Sequence, residues 1–249
     1  RRDTGDWAEL SVGNINRSGT GTLMIATMVA TTNTSGILGT VASNVDSSLF
    51  LAANGASLMN NGMVNPWIVS RYDNNFVKYD DTLGFQAITQ GGDPANYLTS
   101  AGGTIDGSLL ALNDGTEILN LITATGTLGA NLDLYALRLD RDINNSANNA
   151  FNKIIIRSGG LMQGGNTPTI NADIYFGSSG LGDGEALIWA NNNTIQINGN
   201  IYASDVIKSG TAFLNVRSDQ PQFTGDWTVN GGGLQFLTPG AQSSGEVIL

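Results

Sequence analysis

Between Lys208 and Phe236 apolar and polar residues alternate in three short runs. In an extended chain successive side chains point to opposite sides, so Ala212, Leu214 and Val216 share one face and Phe213, Asn215 and Arg217 the other. Trp227 and Val229 then share a face across Thr228, as do Leu234 and Phe236 across Gln235. The segments Phe223-Thr224-Gly225-Asp226 and Asn230-Gly231-Gly232-Gly233 between them are turn material. A strand of about four residues cannot close a core alone and must take its partners from neighbouring copies of the same unit, which is the logic of a solenoid.

The same kind of run recurs along the chain, at 22–26, 37–41, 109–112, 118–122, 132–139, 153–157, 169–176, 185–190, 194–197 and 200–203, nearly always bounded by Gly, Asn, Asp or Ser. A sandwich or jelly roll also uses short strands, but its antiparallel neighbours need room to reverse. Here Asn198-Gly199 alone separates "TIQI" from "NIYA". So short a gap turns a corner, which places consecutive strands on different faces of one coil. The expected fold is all-β, a parallel β-helix (β-solenoid) with a loop- and hairpin-rich insert. Its parts are irregular first coils at 1–61, an aromatic-rich elaborated coil or insert at 62–100, and a regular solenoid at 101–249 with one repeat unit at 208–236. Helical periodicity is nearly absent; "SLFLAANGASLM" at 48–59 is interrupted by Gly55 and reads as a loop with one short helical turn. The polar stretch 140–150 reads as a long loop leaving the solenoid.

Composition narrows the function classes. The 249 residues are 41% hydrophobic and only 13% charged, with 33 glycines, so surface polarity must come from Asn, Ser, Thr and Gln. With a net charge of −10, and with Lys78, Lys153, Lys208 and the arginines scattered, no basic face forms and nucleic-acid binding is disfavoured. The chain has no cysteine, which excludes disulfides and thiolate chemistry and suits a reducing compartment or a large exported chain. Histidine is also absent, which removes the usual general base, the usual zinc ligand and every Ser-His-Asp or Cys-His arrangement. No apolar run reaches the ~18 residues of a membrane span.

With "KSGTAFLNV" and "FTGDWTVNGGGLQF" the chain resembles the autotransporter-associated β-strand repeat, in which Lys208, Gly210, Leu214, Phe223, Thr224, Gly225, Thr228, Val229, Asn230, Gly231, Gly233 and Leu234 occupy matching positions. Ala212 stands where glycine is usual and Gly233 where threonine is frequent. The likeness extends less specifically back to about Gly62. It implies a right-handed parallel β-helix exported to the surface of a Gram-negative bacterium as an adhesin, stalk or display scaffold. It carries no catalytic residues.

Several residues could bear chemistry. Asp140, Asp142 and Asn144 have the spacing that opens an EF-hand calcium loop, yet Asn145 stands where glycine is needed and Phe151 where the bidentate glutamate belongs, so a solvated loop is the favoured reading. Asp80-Asp81 resembles a glycosidase carboxylate pair, but turn capping by Asp80 explains it more simply. A lyase-like site would need calcium carboxylates beside an arginine base, and Arg138, Arg141 and Arg157 near Asp140 and Asp142 are the cluster to test. The runs "GGG" and "GSSGLGDG" are corner turns, because no helix start follows to bind phosphate. Asn191-Asn192-Asn193 and Asn230 are candidates for amide ladders between coils. The aromatics Trp67, Tyr72, Phe76, Tyr79 and Phe85 form a candidate binding patch.

The expected function is therefore mechanical: a rigid, non-enzymatic, cofactor-free solenoid segment of an extracellular bacterial surface fibre. At about 20 to 25 residues and about 4.8 Å per coil, the rod would be of order 50 Å long. The alternatives are an adhesin for a surface glycan or partner protein, and a polysaccharide-processing β-helix. Arg1-Arg2-Asp3 does not open a signal peptide and Glu246-Val247-Ile248-Leu249 reads as mid-strand, so an internal piece of a longer protein is expected. Self-association or continuation into further coils would cover that last strand.

Overall fold

Short strands repeat down the chain, each pairing in parallel with its counterpart a turn away. The computed structural model describes residues 8–25, 48–70, 74–88, 94–110 and 112–249. They form an all-β chain whose parallel sheets stack as a β-solenoid of about 7 turns. The chain divides into two compact units, Arg1–Pro94 and Ala95–Leu249.

In the second unit the coils carry three parallel sheets. The eight-stranded sheet takes Tyr97–Ser100, Ile118–Leu121, Ala136–Leu139, Gly160–Gln163, Ala186–Trp189, Val206–Ser209, Trp227–Val229 and Val247–Ile248 in sequence order. The seven-stranded sheet runs from Gly103–Ile105 through Gly126–Leu128, Ile143–Asn144, Thr169–Ile170, Ile195–Ile197 and Phe213–Val216 to Gly233–Phe236. The four-stranded sheet holds Leu132–Leu134, Lys153–Ile156, Asp173–Phe176 and Ile201–Tyr202. Coil length varies: 18 residues separate Asn120 from Arg138, 27 separate Asn144 from Asn171, and 21 separate Asp205 from Asp226. The surplus goes into corner excursions, because the strands must stay in register to pair.

The interior is a continuous aliphatic stack. Leu119, Leu137, Leu161 and Ile188 form one column of it, and Ile195 and Leu214 another, all buried. Leu214 and Val216 are fully buried as the alternation predicts, while Val229 and Leu234, in the last coils, are half-buried. The seven- and four-stranded sheets alternate buried with half-exposed residues, as in Asp173–Phe176. The eight-stranded sheet does not. Four of its strands, including Ile118–Leu121 and Ala186–Trp189, are buried at every position, so its outward residues Ile118, Met162, Trp189 and Ile207 are apolar too. A strand buried on both faces reads as a continuous apolar run, which is the sequence character of "ALIW".

The four-stranded sheet ends at Ile201–Tyr202, and a side chain continues it. Gln220 Oε1 accepts from Ile201 N (2.6 Å), while its amide donates to Ser218 Oγ (2.8 Å) and Gly199 O (3.2 Å). Phe223 and Trp227 pack edge to face at 4.8 Å in the core of the same coils.

The expected run at 109–112 is a turn: Asp106 accepts from Ser108 N (2.9 Å), Leu109 N and Leu110 N close onto Asp106 O, and Leu110 drops into the core. Ala111 and the expected strand at 37–41 lie outside the described residues. The loop expected over 140–150 is shorter, since Ile143–Asn144 joins a sheet and the excursion begins after it, with a 3-10 turn at Ala147–Asn149.

The first unit pairs Ala8–Val12 with Ser48–Ala52 and Leu23–Ile25 with Ile68–Ser70, both in parallel. Two antiparallel hairpins follow, Met59–Asn60 with Met63–Val64 and Val77–Asp80 with Gly84–Ala87. The second lies within the stretch 62–100 expected as an insert, and the first straddles its start. The segment at 48–59 is a strand and then a 3-10 turn at Ala56–Leu58.

Candidate functional surfaces

The candidate patch of the first unit faces inward. Phe85 and Phe76 are only 2% and 1% exposed, and Phe85 packs against Phe50 at 5.3 Å and Tyr79 at 4.8 Å. The Tyr79 hydroxyl donates to Ala52 O (2.9 Å), and its ring lies against Gly55, where a Cβ would stand 2.2 Å from it. These aromatics build a core because their large rings bury much apolar area per side chain. Tyr72 lies outside the described residues. Trp67 lines a cavity of about 260 Å³, with Ile15, Asn16, Arg17, Ser18 and Thr22 around it. Arg17 Nε donates to Gly21 O (3.1 Å), which orients the guanidinium along that wall.

The calcium candidates hold neighbouring coils together. Asp142 Oδ1 accepts from Thr169 N (2.7 Å) and Asn144 Oδ1 from Asn171 Nδ2 (2.7 Å), both one coil on. Asp140 pairs with Arg138 at 3.4 Å. Among the described residues no cluster of three or more His, Cys, Asp or Glu side chains could hold a metal. The arginine cluster also disperses: Arg138 donates to Asn120 Oδ1 (2.7 Å), Arg141 to Thr123 O (2.8 Å), and Arg157 lies at another corner against Asp133 (2.7 Å) and the Ser178 carbonyl. Asp80 caps its turn, accepting from Thr82 N (2.8 Å) and Leu83 N (2.9 Å). The stretch "GSSGLGDG" makes a corner excursion with Gly177, Gly180 and Gly182 at positive φ.

Amide ladders exist, at asparagines other than those expected. Asn198 Nδ2 donates to Asn171 Oδ1 (2.6 Å), and Asn171 Nδ2 to Asn144 Oδ1, each across 27 residues. Asn191, in contrast, meets Thr211, Asn193 donates to Gly165 O (2.6 Å), and Asn230 reaches Ser209 at 3.5 Å. A ladder needs one residue type at one register position in successive coils, and only the 144, 171, 198 series supplies it. We expect Asn171→Asp to lower the unfolding free energy by about 1–3 kcal/mol at neutral pH. Its carboxylate would face the Asn144 oxygen with no proton between them. Denaturant unfolding checks this, and recovery of stability at acid pH, where the carboxyl regains a donor, would mark the lost hydrogen bond as the cause.

A second ladder is written in the sequence as a recurring acid-apolar pair: Glu185-Ala186, Asp205-Val206, Asp226-Trp227 and Glu246-Val247 each open a strand of the eight-stranded sheet. Asp205 Oδ1 accepts from Asp226 N (3.1 Å) and Asp226 Oδ1 from Glu246 N (3.0 Å), so each carboxylate caps the start of the next coil. Gly225 and Gly245 precede them because the stack is tight there, with a Cβ at either standing 1.7 Å from a backbone oxygen.

On the outside of the four-stranded sheet Tyr175 and Tyr202 stack at 4.1 Å with only 6° between their planes, and Lys153 Nζ sits 3.9 Å above the Tyr175 ring. Burial, and then the hydrogen bond with Tyr202, push the Tyr175 phenol up to about 12. Lys208, by contrast, is inside: fully buried, with its ammonium among backbone carbonyls, where burial pushes it down to about 8.

Comparison with protein-family models, with curated proteins and with solved structures returns no match. The β-solenoid is established by its own stacked register. No helix among the described residues is long and apolar enough to cross a membrane.

Proposed function

We propose that the chain is a structural β-solenoid segment, a rigid section of an extracellular fibre or large autotransporter-like surface protein of a bacterium. One observation carries the reading: the residues best suited to chemistry are engaged in holding coil to coil. Asp142 and Asn144 bond to the next turn, Arg157 to the previous one, and Asp205 and Asp226 cap successive strands. Such cross-coil bonds, over a continuous aliphatic stack, resist local opening, which is what a stalk outside the cell requires and a catalytic cleft does not. Resemblance of 208–236 to the autotransporter-associated repeat supports the placement at a cell surface. The outer edge strand Val247–Ile248, with both residues exposed, is where a further coil of like kind would pair, in this or another molecule.

The experiment is antibody labelling of intact producing cells, followed by protease challenge of the purified chain. Surface labelling, with the 95–249 unit surviving as a resistant fragment, is expected. Labelling only after lysis would overturn the extracellular reading, and rapid digestion through the coils would overturn the structural one.

A second reading, an adhesin, is favoured by the cavity beside Trp67. A half-buried indole with Asn16, Arg17, Ser18 and Thr22 around it offers a stacking surface and hydrogen-bonding groups of the kind that hold a saccharide.

A further inference from the structure

We infer that the corner closed by the carbonyls of Ala190, Gly210, Ala212 and Gly231 is a monovalent-cation site, which the chain fills with its own Lys208 ammonium.

Lys208 stands in an interior column. Its register partner is Ile188, which pairs in turn with Leu161, and that with Leu137 and Leu119, all buried aliphatics. A lysine at such a position takes a charge out of water, which costs far more than the packing of its methylenes returns unless the ammonium finds partners. It finds them at the corner. Lys208 Nζ donates its three protons to Gly210 O (2.7 Å), Gly231 O (2.9 Å) and Ala212 O, and Ala190 O lies at 3.4 Å as the fourth oxygen around it. These carbonyls come from three successive coils, so one cation ties three turns together.

The cage is built by backbone geometry. Gly210 and Gly232 both have positive φ, +86° and +68°, a conformation glycine adopts without steric cost. A Cβ on Gly232 would stand 2.1 Å from Ala212 O and 2.7 Å from Lys208 Nζ, inside the cage itself. The spelling Lys-Ser-Gly at 208–210 and Gly-Gly-Gly at 231–233 thus encodes a ring of inward carbonyls and a cation to fill it.

The donor set defines the chemical class. Four neutral carbonyl oxygens replace a hydration shell for a cation of low charge density, as they do for potassium in channel filters. Divalent ions are held by carboxylates, and no carboxylate of the described residues pairs with Lys208. Ammonium and potassium are therefore the free ions that fit when the lysine amine is withdrawn.

The test uses the full chain. In Lys208→Ala the carbonyls lose their cation, and thermal unfolding is followed in potassium, ammonium and tetramethylammonium chloride at equal ionic strength and neutral pH. Potassium or ammonium is expected to raise the variant's midpoint by about 3 °C or more over tetramethylammonium. The wild type, its site already filled, should respond alike to all three. Lys208→Met, whose thioether chain occupies the column and blocks the cage, should be destabilised and indifferent to the cation. Heteronuclear NMR of the lysine side-chain nitrogens in the wild type is the second measurement, with one protected, slowly exchanging ammonium expected. A Lys208→Ala variant indifferent to cation identity, or no protected ammonium signal, would overturn the proposal. Should that variant fail to fold, the NMR result decides.

Discussion

Leu214→Asp is expected to melt the coils on either side of it. Leu214 is fully buried in the core, in register between Ile195 and Leu234. Removing a buried leucine costs about 2–5 kcal/mol through lost transfer and the cavity left behind. A carboxylate in its place has no partner in the aliphatic stack and adds several kcal/mol more. Together these approach the ~5–15 kcal/mol that stabilises an entire domain. Because each coil of a solenoid touches only its neighbours, the damage should be local. Hydrogen exchange should show protection lost across 186–236 and largely kept across 118–163. Leu214→Ala, with the cavity but no charge, should lose far less. A Leu214→Asp chain with unchanged protection would contradict the placement of this column.

Trp227→Ala is the second large effect. Trp227 is fully buried, edge to face with Phe223 at 4.8 Å and with Phe236 at 5.1 Å, and its Nε1 donates to Gln242 O (3.0 Å). It sits in the eight-stranded sheet, paired with Val206, and its indole points into the core. Its loss leaves a large volume among side chains that are already packed. Truncation of a buried aromatic costs about 3–5 kcal/mol. Protection at 213–249 should collapse first, while strands up to Trp189 remain. Trp227→Phe, which keeps an aromatic ring beside Phe223 and Phe236 but loses the hydrogen bond, should recover roughly half the loss in midpoint. A uniform fall in protection along the chain would show that the last coils are not an independent layer.

Much of the solenoid could be read from the chain before any coordinates. Alternation gave the seven- and four-stranded sheets, as in "TIQI" and "DIYF", where one face meets the core and the other does not. The two-residue gap at Asn198-Gly199 distinguished corners from hairpins, since a parallel coil needs only a change of direction there. Asp80 was legible as a turn cap from its position before Thr82-Leu83-Gly84. The aromatic insert was legible as different, but its direction was not. An isolated run of Trp, Phe and Tyr looks the same whether it lines a core or a surface, and in this chain Phe76 and Phe85 fill the one while Trp67 borders the other.

Composition and local pattern, then, determined the class of fold, the short strands, the turn chemistry and the absence of histidine- or cysteine-based chemistry. Those properties depend on each residue and its near neighbours. The tertiary structure decided everything that depends on register between coils of unequal length. A coil of 18 residues and another of 27 bring different positions into line, so only the assembled stack shows that Asn144, Asn171 and Asn198 form the ladder and Asn191 does not. Register also placed a lysine, the residue type least expected inside, in an aliphatic column. A lysine is buried when carbonyls converge on its ammonium, and that convergence is a property of three turns together, which no single stretch of sequence contains.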